Sequence, residues 1–146
     1  MAERIRVVLR WVQILDIMEP FFKHRGEFRF SARVTSDKTG RAHETRFPTD
    51  GYYEISDHPA WNKLKLDKVI FEGEVDRKLV VEIMGEELDS FTAADRLDHY
   101  KREFAGVPRS WIGGYGPGAE SDSDGAQSGD PEEMSKWRVN YVIERV

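Results

Sequence analysis

The chain has no cysteine among its 146 residues. Disulfides, thiolate metal sites and cysteine nucleophiles are therefore excluded, and zinc would have to be held by histidine and carboxylate alone. Nor is there an apolar run long enough to cross a bilayer, because the stretch that opens at Ile5 is interrupted by Arg6 and Arg10. A soluble, cytoplasmic protein is expected. A basic stripe is missing too, so no nucleic-acid partner is expected. The net charge of −5 is unevenly spread, since Glu120, Asp122, Asp124, Asp130, Glu132 and Glu133 fall between residues 119 and 134 with no basic residue among them. Those six acids outweigh the whole net charge, which leaves the rest of the chain close to neutral.

Recognisable catalytic patterns are also lacking. His24, His43, His58 and His99 show no paired metal spacing, and no Gly-x-Ser-x-Gly elbow accompanies them. The glycines from Gly113 to Gly118 lack the Lys-Ser/Thr that follows in a phosphate cradle. Glu86 and Glu87 are adjacent, and adjacent residues of an extended segment point to opposite sides, so they do not form an acid/base pair. A non-catalytic protein is expected.

What the sequence does contain is short alternating segments. Phe28, Phe30, Ala32 and Val34 alternate with Glu27, Arg29, Ser31 and Arg33, the clearest two-residue period in the chain. Ile5, Val7, Leu9, Trp11 and Leu15 share one parity, although Val8, Val12 and Ile14 blur it. Turn sequences at Ser36 to Gly40 and Pro48 to Gly51 frame a strand over 41–47. Further extended runs cover 52–55, 63–71, 78–84 and 137–143, with 107–112 as a candidate eighth. The pattern predicts an all-β, antiparallel sandwich of seven to eight strands in a single domain, 1–146, with one short helix after Thr92. Residues 113–135, rich in glycine, serine and aspartate, are expected to form a flexible, disordered acidic loop before the last strand.

The segment after the 78–84 run carries Glu87, Asp89 and Asp95, two and then six residues apart, with Phe91 between them. Calcium takes about six to eight oxygens at about 2.3–2.6 Å, and carboxylates so spaced can converge on one ion when the third folds back. Phe91 would then be an apolar tip beside the ion, able to enter a membrane surface. A competing reading makes Thr92 and Asp95 the start of a helix, because Leu97, Tyr100 and Phe104 recur at helical spacing.

Three features resemble a C2 domain. Pro59, Trp61 and Asn62 match the Asn-Pro-x-Trp-Asn-Glu segment of that family, with His58 and Lys63 departing from it. Asp16 ends the first strand and Glu19-Pro20-Phe21 resembles the family's Asp-Pro-Tyr. Glu87, Asp89 and Asp95 keep the spacing of its third acidic loop, with glutamate for the first aspartate. The resemblance covers roughly residues 5–98. It implies a Ca2+ site held by Asp16, Glu19, Glu87, Asp89 and Asp95, and engagement of an anionic phospholipid surface by Ile17, Met18, Phe21, Phe22, Lys23, Arg25 and Phe91. Peripheral membrane association would follow. The two glutamates carry a longer side chain and more rotamer entropy to lose, so weakened or altered calcium binding is expected. The alternative is a protein-interaction module whose calcium site is degenerate or purely structural.

Overall fold

The computed structural model describes residues 3–14, 25–56, 63–88, 95–96, 99–116 and 137–146. Ten strands run in the order β1 (Glu3–Ile14), β2 (Arg25–Ser36), β3 (Ala42–Phe47), β4 (Tyr53–Ser56), β5 (Lys63–Val75), β6 (Lys78–Glu87), β7 (Asp95–Arg96), β8 (Tyr100–Ala105), β9 (Gly113–Tyr115) and β10 (Trp137–Arg145). One sheet has the order β5-β1-β10-β9; in the other, β2 and β6 are central, β3 and β4 pair with the outer edge of β2, and β7 and β8 with that of β6. Every pairing is antiparallel. The two sheets face each other over a shared core, where the Phe30 and Trp137 rings stack at 5.6 Å and Phe104 meets Tyr115 edge-on at 5.1 Å. All-β, sandwich-like architecture is thus as expected.

The alternation in β2 holds throughout its core-facing residues: Phe28, Phe30, Ala32 and Val34 are buried. In β1 it does not. Ile5, Val7 and Leu9 face the core, and then the register slips between Leu9 and Trp11, so that Val12 and Ile14 take over. The extra residue on β1 is a bulge against β10, which shifts every later side chain to the opposite face. Trp11, which parity alone would bury with Leu9, therefore stands half-buried on the outer face, with the Lys63 ammonium 4.2 Å from its ring centre. On the other side β5 has extra residues against β1, and this brings Ile70 and Phe71 into the core in succession.

Three expectations are corrected. The short helix is absent among the described residues: Tyr100 and Phe104 lie in β8, where both are buried and Lys101 and Glu103 between them are exposed. A separation of four fits both periods, and pairing with β6 selects the strand. Residues 113–115 are not loop either, for β9 pairs Gly113, Gly114 and Tyr115 with Ile143, Val142 and Tyr141. Tyr115 is buried and its hydroxyl donates to the Trp111 carbonyl at 2.6 Å. Residues 107–112 contain a 3-10 turn, Pro108–Trp111, not an eighth strand.

At the end of the sandwich remote from the acidic loops, Asp37 joins the β2–β3 turn to the β5–β6 turn. Its carboxylate accepts from the backbone N–H of Asp76 at 3.1 Å and of Arg77 at 2.8 Å. Desolvation acts to raise this carboxyl, but the backbone donors of Arg77, Asp76 and Lys78 outweigh it and hold the group below its ordinary range. The folded value is thus depressed, so the stabilisation is present above the unfolded value and is lost as pH falls through the folded one. Asp37→Asn is expected to cost about 1 kcal/mol at neutral pH, the low end for charge-assisted bonds because the carboxylate is exposed. In urea titrations the gap between wild type and variant should close at acid pH. A gap independent of pH would show that the charge plays no part.

Candidate functional site

The register brings several strand ends to one place. In the first sheet Ile14 lies opposite Trp137 and Gln13 opposite Lys63; in the second, Arg25 lies opposite Ser56 and Phe28 opposite Glu87. Residues 15–24 connect Ile14 directly to Arg25, so the two sets of ends belong to the same end of the sandwich. The chain segments 15–24, 57–62, 89–94 and 117–136 all depart from it.

At this end Glu87 is the last residue of β6. The expectation that it opens the acidic loop is corrected, since it still pairs in the strand, with Phe28 on one side and Asp95 on the other. It follows Leu79, Val81, Ile83 and Gly85 on the buried parity and is itself fully buried. Glu86, one residue earlier, faces the outer side and accepts from Arg29 at 2.9 Å. The two carboxylates thus diverge, as expected for neighbours in a strand.

Asp95 opens β7 and is not a helix cap. Its backbone position is directly opposite Glu87. This is the juxtaposition that the spacing of eight residues achieves through a reversal of the chain. Arg25 is the first residue of β2. Asp16, Glu19 and Asp89 lie outside the described residues, as do Ile17, Met18, Phe21, Phe22, Lys23, Phe91 and the Pro59, Trp61 and Asn62 segment. Among the described residues no three His, Asp or Glu side chains gather into a metal-binding group.

In sequence comparison no protein-family model matches this chain, and no curated protein does. The functional reading therefore rests on the residues and their arrangement.

Sequence reasoning overlooked a second group at this end. On the outer face of the β5-β1-β10 sheet, rows run Lys63–Gln13–Arg138, then Lys65–Trp11–Asn140 and, past exposed Arg10 and Asp67 at the bulge, Val69–Val8–Val142. Beyond these, Arg6 binds Glu72 at 2.9 Å and Glu144 at 3.4 Å. The Arg6 guanidinium bond holds the Glu72 carboxyl below its ordinary value. The alternation of Lys63 and Lys65 was a visible signal; that Trp11 joins them was hidden by the bulge.

Proposed function

We propose that this chain is a C2-like calcium-binding module that engages anionic phospholipid through the acidic segments at one end of its sandwich. The observation that carries this reading is the shared end: the strands that flank Asp16 and Glu19 and those that flank Asp89 terminate together, with Glu87 opposite Asp95. The strand order is also in keeping with it. If β3 with β4, and β7 with β8, are each counted as one interrupted strand, two four-stranded sheets result, as in an eight-stranded C2 sandwich.

The donor set fits the ion, because carboxylate oxygens are hard ligands suited to calcium. Asp16, Glu19, Glu87, Asp89 and Asp95 would hold it. When bound, the ion supplies positive charge and open coordination positions for lipid phosphate oxygens. Ile17, Met18, Phe21, Phe22 and Phe91 would add apolar contact, with Lys23 and Arg25 meeting headgroups.

Calorimetric titration tests the first step. Calcium should bind to the wild-type chain and raise its unfolding free energy by about 2.7 kcal/mol at a hundredfold excess over Kd, whereas Asp89→Asn should lose both effects. Co-sedimentation with phosphatidylserine vesicles should then require calcium. Absence of calcium binding would sink the reading, and stabilisation without vesicle binding would reduce it to a structural calcium site.

A further inference from the structure

We propose that the outer face of the β5-β1-β10 sheet, at its loop end, is a second membrane-contacting surface that lays the sandwich on its side against an anionic bilayer. The proposal rests on the membrane reading above and adds an orientation to it. Three observations carry it.

The first is charge. Lys63, Lys65 and Arg138 stand in two adjacent rows that contain no acid. Among the described residues Lys63 and Arg138 have no ion-pair partner, Lys65 has only a 3.9 Å contact with exposed Asp67, and the Arg138 Nε is buried without a hydrogen-bond acceptor. On the opposite outer face three of the bases are paired with acids, Arg29 with Glu86, Arg33 with Glu44 and Lys78 with Glu103, and Lys101 stands across the ladder from Glu82. Of the two faces, only one offers a surplus of positive charge to a partner.

The second is the sequence of rows. Going from the loop end, the cations flank Trp11 and, past exposed Arg10 and Asp67, three valines stand side by side, of which Val69 is 46% exposed. Basic groups, an indole and an apolar strip side by side on one face suit a flat contact with a bilayer interface, where lysine stems and tryptophan rings sit between headgroup and acyl chain. A nucleic-acid surface would make no use of the valines. The third is position, since these rows border the same end from which 15–24 and 89–94 depart.

The absence of cysteine supplies the test, because a single introduced thiol can be labelled uniquely. An environment-sensitive fluorophore on Val69→Cys is expected to shift to the blue and be quenched by brominated lipid when phosphatidylserine vesicles are added. The same label on Thr49→Cys, on the other outer face, should not respond. Lys63→Gln with Lys65→Gln should weaken vesicle binding about 30-fold, at about fivefold per lysine near an anionic surface, with the melting temperature unchanged.

Binding that requires calcium while the position-69 label stays silent would overturn this proposal and leave the loop reading intact. Binding that persists in chelator, with the label responding and the lysines required, would support this surface and overturn the calcium step. No vesicle binding under either condition would overturn both. Loss of single-stranded RNA binding in the lysine variant, without any vesicle response, would assign the face to nucleic acid instead.

Discussion

Trp137→Ala is expected to lower the unfolding free energy by about 3–5 kcal/mol, the range for removing a fully buried tryptophan. The residue is 0% exposed, opens β10 opposite Ile14, and stacks on Phe30 at an interplanar angle of 14°. It is therefore the bridge between the sheets at the very end from which the acidic segments leave. Removing the indole forfeits its burial and leaves a cavity that two hydrogen-bonded sheets cannot close by moving together. For a chain of this size the melting temperature should fall by roughly 12–20 °C. Trp137→Phe retains a ring over Phe30 and should lose only about 1–2 kcal/mol. Urea unfolding of the two variants checks this, and a loss below about 1 kcal/mol in the alanine variant would mean that this end of the core is not closed as described. On the proposed calcium reading, a loosened end should also weaken calcium binding even though Trp137 is not among the expected ligands.

Gly116→Ala should be nearly as costly for a different reason. Gly116 follows β9 with φ at +111°, and a Cβ there would overlap the Val139 carbonyl oxygen and lie 3.0 Å from the Asn140 Cα. Both atoms are backbone of β10, so neither can swing aside as a side chain would. Unfavourable φ contributes about 1–3 kcal/mol and the overlap must be relieved by displacing β9 or β10, giving an expected loss above about 3 kcal/mol. Gly106 provides the control, because its φ of +99° is similarly restrictive yet nothing lies within 4 Å of an added Cβ. Gly106→Ala should lose about 1–2 kcal/mol, from backbone strain alone. Equal losses in the two variants would show that close approach to β10 does not matter, and denaturant midpoints would decide it.

Together these two predictions bracket the candidate site. Trp137 and Gly116 lie on either side of the acidic tract at 119–134, and both anchor β10 between its neighbours.

The alternation of Phe28 to Val34 and of Trp137 to Ile143 by itself determined that this chain forms antiparallel strands with one buried face, because a period of two is compatible with no other regular structure. The spacing of Glu87, Asp89 and Asp95 likewise marked an acidic segment worth attention. Tertiary structure decided the rest. Whether Tyr100 and Phe104 belong to a helix or a strand depended on the free edge of β6, and whether Gly113 to Tyr115 pair at all depended on β10, neither of which is local. The bulge after Leu9 moved Trp11 from the core parity to the outer face, where it meets Lys63, and no run of residues around it carries that information. Glu87 became a buried strand residue opposite Asp95 only through the reversal between β6 and β7. Local pattern encodes which way a side chain can point; which face is inside, and what stands opposite, is set by pairing between segments far apart in the chain.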